Sequence, residues 1–76
     1  MITIDGMMLN IDEDLVKRHK KLTGDTDELF TEVVKIMVKG ETGLEFGEAV
    51  LQVPPEKLAR IIEERLESEL SGFWGA

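Results

Sequence analysis

The sequence contains no cysteine, no tyrosine and a single histidine, His19. The absence of cysteine excludes disulfides and favours a reducing compartment, which we take to be the cytoplasm. With one imidazole, a zinc site would have to be built almost entirely from carboxylates, which rarely hold structural zinc. We therefore expect no metal in this protein.

Long apolar runs and positive charge are also scarce. No window approaches the roughly 18 apolar residues that cross a bilayer, and the first residues lack a positive, signal-like region. Nine basic residues face sixteen acidic ones, for a formal net charge of −7. Such a charge repels nucleic acid and anionic lipid at long range, so we expect no membrane association and consider nucleic acid an unlikely partner. A basic protein surface is the better candidate.

The 76 residues predict one domain, 1–76, because so short a chain cannot fill two cores. Domains of this size often need a disulfide, a metal or a partner subunit to supplement the core. Since the first two are missing, a homodimer is an open option.

Periodicity predicts an α+β fold in which three helices pack on a small antiparallel sheet, with about half of the chain helical. The alternating segment 2–11 predicts one or two short strands. Asp25 and Glu28 have the spacing of a capping box, and the apolar stripe of the helix they begin is wide enough to be covered on two sides. The expected elements are a helix at 12–22, a helix at 26–39, a strand or hairpin at 44–53, and a helix from Pro55 that ends at Ser71-Gly72.

No residue pattern indicates catalysis. His19 lies inside the basic run 17–21, which is a poor place for a general base, so we expect it to face solvent without a role. The acidic clusters lack the spacing of a calcium loop, and no glycine-rich phosphate loop is present. We expect neither an enzyme nor a cofactor.

The third helix carries the strongest signal for an interaction surface. Its polar side is rich in glutamate, and two large aromatics follow near the end of the chain, where they can anchor a partner or cover the protein's own core. The candidate partner-binding residues are Glu56, Glu63, Glu64, Glu67, Phe73 and Trp74.

Residues 7–39 resemble the ribbon-helix-helix family: the alternating Met7-Met8-Leu9-Asn10-Ile11 leads into a helix, a turn containing Gly24 and a second helix. In that family two chains pair their strands and read the major groove with the outward side chains. The resemblance implies a dimer that binds DNA. The residues that would contact nucleic acid are Met8, Asn10, Lys17, Arg18, Lys20 and Lys21.

Two departures weaken the implied DNA binding. Met8 and Asn10 stand where the family commonly has longer polar or basic side chains, and the turn that would hold a phosphate carries Asp25, Asp27 and Glu28. Three interpretations stay open: an antitoxin-like member with an acidic toxin-binding part, a dimeric relative that lost DNA binding, or a coincidence of a common pattern.

The sequence favours a non-enzymatic protein-interaction module, such as a small acidic inhibitor, an antitoxin or a phage-type modulator that binds a basic partner. The alternatives are a dimeric ribbon-helix-helix DNA regulator and a small structural or assembly subunit.

A DNA titration separates the first two functions. Phosphate contacts strengthen as salt falls, so a DNA regulator must bind measurably at about 50 mM salt and more weakly at higher salt. We expect no fluorescence-anisotropy change with labelled duplex DNA at either salt concentration. Salt-sensitive binding would instead support the regulator.

Overall fold

The computed structural model describes the backbone of residues 1–74 and the side chains of residues 1–72. Within that part the elements are β1 Ile2–Ile4, β2 Met7–Leu9, α1 Glu13–Thr23, α2 Asp27–Thr42, α3 Phe46–Gln52 and α4 Pro55–Trp74. The predicted α+β class and small antiparallel sheet are confirmed. The prediction of three helices is wrong, since the described residues contain four, and 72% rather than half of the chain is helical.

The two strands form a hairpin around Asp5 and Gly6. Ile2 pairs with Leu9 and Ile4 with Met7 in antiparallel register. Asp5 has φ 53° and Gly6 has φ 84°, and positive φ at both central residues is the geometry of the tight turns that match the twist of a hairpin. The alternation therefore places Ile4 and Leu9 in the core.

Side-chain caps begin the first two helices. Asp12 accepts a hydrogen bond from the Asp14 amide at the start of α1, and the Thr26 hydroxyl accepts one from the Leu29 amide at the start of α2. The predicted capping box at Asp25 was therefore one residue early. Helix α2 also continues through Gly40 and ends at Gly43, whose φ of 76° is the left-handed conformation that stops a helix.

Within residues 44–53 the structure has helix α3, Phe46–Gln52, and not the predicted strand or hairpin. Phe46 and Ala49 are buried and Val50 and Val53 are half-buried, and their spacing of three, four and seven residues is a helical period. Helix α3 packs this face against α2 and α4. The sequence predicts an extended segment here because a glycine such as Gly47 is typical of a bend in a strand, and prolines are typical of the end of one.

Helix α4 contacts every other helix and β2. Pro55 occupies its first turn, as predicted, and Leu58, Ile62 and Leu66 along one side are fully buried. The helix does not end at Ser71-Gly72 but continues through them to Trp74.

An ion pair ties the hairpin turn to α2. The Lys35 ammonium lies 3.5 Å from a carboxylate oxygen of Asp5 and 3.5 Å from one of Glu32. These two carboxylates, Asp5 foremost, raise the pKa of Lys35 above its usual value. Because a raised lysine pKa stabilises the fold only while the amine is protonated, this contribution is present at neutral pH and is lost in strongly alkaline solution.

Replacement by alanine should have opposite effects on stability at two exposed glycines, one in the hairpin turn and one in a helix. Gly6→Ala forces a side chain into positive φ and should cost about 1–2 kcal/mol of unfolding free energy, although space is free around the new methyl group. Gly47→Ala, in α3, should stabilise by up to about 0.5 kcal/mol because alanine is the better helix former. Urea unfolding measures both, and a neutral Gly6→Ala would contradict the turn.

Candidate functional site

The glutamates predicted to bind a partner lie on the outer side of α4. We define the α4 acidic face by Glu56, Glu63, Glu64 and Glu67; all but the half-buried Glu63 are exposed. Their spacing places them on the side opposite the buried leucines of the helix. Within the side chains that the structure describes, Glu56, Glu64 and Glu67 form no ion pair. These three carboxylates are available to an outside cation.

The acidity is strongest in the C-terminal half of the face. Lys57 and Arg60 are exposed between Glu56 and the other glutamates. The two turns after Arg60 carry Glu63, Glu64 and Glu67 on this side of the helix and no cation. An open cleft of about 390 Å³ lies beside them, lined by Glu41, Ile61, Glu64, Arg65, Ser68 and Glu69. Three carboxylates therefore surround a single guanidinium, which leaves the cleft net negative.

Glu63 has a structural contact that the other glutamates lack. Its carboxylate accepts a hydrogen bond of 2.9 Å from the backbone amide of Asp12. This bond joins the entry of α1 to the middle of α4. Glu63 therefore stabilises the fold, and of the four glutamates of the α4 acidic face it is the least available to bind a partner.

The predicted aromatic anchors lie at the edge of what the structure describes. The backbone of Phe73 and Trp74 belongs to α4, but their side chains fall outside the described residues. Their role in partner binding or self-packing stays a prediction.

The basic run 17–21 divides between three environments. Lys17, Arg18 and Lys21 are exposed on one side of α1. Lys20 is half-buried, forms an ion pair with Asp27 and lies 5.9 Å from the centre of the Phe30 ring. Three of the four cations thus share a surface.

Arg18 connects this basic surface with the α4 acidic face. It forms an ion pair of 3.2 Å with Asp14 on its own helix, and it lines an open cleft with Glu67, Leu70 and Ser71. The oppositely charged surfaces of α1 and α4 are therefore neighbours.

His19 is buried, which contradicts the prediction that it faces solvent. Its side chain is only 2% exposed, and its Nε2 lies 2.7 Å from a carboxylate oxygen of Glu69. An ionised carboxylate can only accept, so Nε2 carries the proton. The Phe30 ring packs edge-on at 6.0 Å between centroids, and the buried Nδ1 has no hydrogen-bond partner among the described residues.

The burial of His19 could have been predicted from its position in the helical period of α1. His19 is four residues after Leu15 and three before Leu22, so it lies on the apolar side of α1. Its neighbours in sequence are basic, but its neighbours in space come from other helices. Glu69, which orients the ring, lies fifty residues away in the sequence.

A line of polar contacts continues from Glu69 to the surface. The Arg65 Nε lies 3.5 Å from the second Glu69 oxygen, and an Arg65 terminal nitrogen donates to Glu41 at 3.1 Å. This line ties α1, α4 and the end of α2 together. It offers no activated nucleophile, and its carboxylates are engaged by the histidine and the arginine, so we interpret it as structural.

The candidate strand residues of the DNA-binding alternative are accessible. Met8 is 63% exposed and Asn10 is also exposed. However, β2 pairs with β1 of the same chain, whereas the corresponding strand of a ribbon-helix-helix protein pairs with its partner chain.

No protein family, curated protein or solved structure matches this chain. The ribbon-helix-helix resemblance therefore stays a hypothesis.

Two further observations concern metals and membranes. Among the described residues, no three side chains of His, Asp or Glu are grouped so as to hold a metal ion. None of the helices in residues 1–74 has the length and apolarity needed to cross a bilayer.

The His19–Glu69 contact predicts unequal effects of two glutamates on the same helix. Glu69→Ala leaves the buried Nε2 without its acceptor and should cost about 1–2 kcal/mol of unfolding free energy. Glu67→Ala, which removes an unpaired surface carboxylate, should stay within about 0.5 kcal/mol of the wild type. Urea unfolding compares them. Glu69→Gln keeps an acceptor and should recover part of the loss, whereas equal costs for both alanine variants would contradict a structural role for Glu69.

Proposed function

We propose that this protein is a non-enzymatic interaction module whose α4 acidic face binds a basic surface on another protein. The observation that carries the proposal is the set of exposed carboxylates at Glu56, Glu64 and Glu67, which have no cationic partner among the described side chains. The formal net charge of −7 adds long-range attraction toward a basic partner.

Charge and geometry suit recognition better than catalysis. The single imidazole is enclosed and bonded to Glu69, so it is a poor proton carrier for an outside substrate. The two clefts that border the α4 acidic face are open to solvent and carry charged side chains, whereas small-molecule sites are concave and mostly apolar. A more apolar cleft of about 440 Å³ lies between α1 and α4, but it is lined by Arg18, Lys21, Leu22 and Leu70 and holds no acid or nucleophile for catalysis among the described side chains. A small acidic inhibitor, antitoxin or phage-type modulator acting in the cytoplasm fits this description.

The second candidate, a DNA regulator, is supported by a different surface. Lys17, Arg18 and Lys21 lie together on α1 with no described element over them, and three aligned cations can follow a phosphate backbone. The nearby carboxylates of Asp14 and Glu67 weaken this attraction. A structural or assembly subunit would use the same α4 surface as the first proposal and differs only in what it binds.

Charge neutralisation on α4 tests the proposal. Immobilised wild-type protein should capture a basic protein that mass spectrometry can identify, and titration with that purified protein then gives an affinity. The double variant Glu64→Gln/Glu67→Gln should bind about tenfold more weakly, mainly through a slower association rate, with a smaller dependence on salt.

The matched control is Glu13→Gln/Glu48→Gln, which removes the same charge from exposed positions on α1 and α3. It should bind the partner nearly as tightly as the wild type. Equal weakening by both double variants would mean that only net charge matters, and unchanged binding by the α4 variant would contradict a role for this face.

A further inference from the structure

Helix α2 has a second apolar side that the other described residues leave uncovered. Its first apolar side, with Phe30, Val34, Met37 and Val38, is buried in the core. On the other side Leu29 is 54% exposed and Ile36 is 70% exposed, with the half-buried Val33 between them. The sequence predicts a helix covered on two sides, and the described residues cover one.

The exposed residues have the spacing of a helix-pairing seam. Leu29, Val33, Ile36 and Gly40 are separated by four, three and four residues, which is the alternation that keeps one row of side chains facing a partner helix. We call this row the α2 seam. A seam of this kind fits another helix better than it fits a flat surface.

Gly40 is otherwise unexplained. It lies inside α2, where glycine is an unfavourable residue, and a Cβ placed there would have no heavy atom within 4 Å. Nothing among the described residues therefore requires a glycine at this position. A side chain of another molecule that packs over Gly40 would explain the glycine. A large side chain such as leucine would fill the open space best.

The charges beside the seam specify a direction. Glu28 and Glu32 flank its first half, and Lys35 and Lys39 flank its second half. These four charges lie on the same flank of the seam, so two copies of α2 in antiparallel orientation bring each acidic half beside a basic half. A parallel pair would instead place this charged flank beside the opposite flank of the partner helix, which carries the buried Phe30 and Met37. The antiparallel arrangement also places Leu29 of one copy over Gly40 of the other.

We propose that the α2 seam is the interface of a homodimer in which two α2 helices pack antiparallel about a twofold axis, with Glu32 of each copy facing Lys39 of the other. In the single chain these charges have only exposed or half-exposed partners, Lys35 for Glu32 and Glu45 for Lys39, so they can re-pair at little cost.

The size of the seam sets the strength of the dimer. Helix α2 has 16 residues, a length of about 24 Å, and one pair of helices this long buries an area near or below the lower limit of roughly 1,200 Å² for stable complexes. We therefore expect a dimer that dissociates on dilution, which a chain without disulfides can use as additional stabilisation when concentrated.

The first experiment measures mass by sedimentation equilibrium over a roughly hundredfold concentration range. The wild-type mass should rise from monomer toward dimer. Ile36→Glu should weaken dimerisation by more than about tenfold. The control Leu51→Glu places the same charge at a side chain that is 81% exposed on α3, and it should dimerise as the wild type does.

A second set of variants tests the direction. Glu32→Lys and Lys39→Glu should each weaken the dimer, and the double variant Glu32→Lys/Lys39→Glu should restore it, because the swapped charges face each other again. Gly40→Leu should weaken the dimer although leucine is a better helix former than glycine, so the monomer should keep its helical circular dichroism.

Cross-linking reads the orientation directly, because the chain has no cysteine of its own. When equal amounts of the Glu32→Cys and Lys39→Cys proteins are mixed and oxidised, the mixed disulfide should clearly exceed the two symmetric ones taken together, which is more than random pairing gives. Predominantly symmetric products would overturn the antiparallel arrangement. A wild type that stays monomeric throughout, or a dimer that Ile36→Glu leaves intact, would overturn the proposal and leave the seam to a different protein.

Discussion

Burial of one side of α4 is the constraint on which the remaining elements depend. Leu58, Ile62 and Leu66 are each fully buried, and the hairpin, α1, α2 and α3 all pack around α4. The hairpin is too short to be stable alone, and α3 has only seven residues and no side-chain cap, so both are held by the apolar surface that α4 gives them. The outward side of the same helix is left free for glutamates, which is why the fold and the candidate site share one element.

The sequence predicted correctly those elements whose signals lie within a few neighbouring residues. The start of α1 near Asp12, the proline at the start of α4 and the alternation of the hairpin all have signals within a few residues, whereas the cap of α2 was predicted one residue early. Helix α3 was mistaken for a strand because its seven residues contain Gly47 and precede two prolines, although Phe46, Ala49, Val50 and Val53 have a helical spacing. A short segment of this kind takes its conformation from the surface against which it packs.

The candidate site likewise has features that the helical period predicts and features that depend on residues far apart in the sequence. Exposure of Glu56, Glu64 and Glu67 followed from the period of α4, whereas the bond from the Asp12 amide to Glu63 joins positions 51 residues apart and has no sequence signature. His19 was judged by its basic neighbours and not by the side of α1 on which it lies. The sequence showed that the apolar stripe of α2 is wider than one packing face needs. Only the structure shows which of its residues are buried and which, like those of the α2 seam, are exposed.

The long-range bonds between α1 and α4 also have a consequence for synthesis. Asp12 and His19 are made early, while their partners Glu63 and Glu69 leave the ribosome some fifty residues later. Until then the hairpin, α1 and α2 lack the apolar surface that completes their core, so the chain emerges as helical segments with exposed leucine, valine and phenylalanine. Cooperative folding must wait until α4 has been released, and during that interval the exposed apolar surface of the nascent chain is open to aggregation.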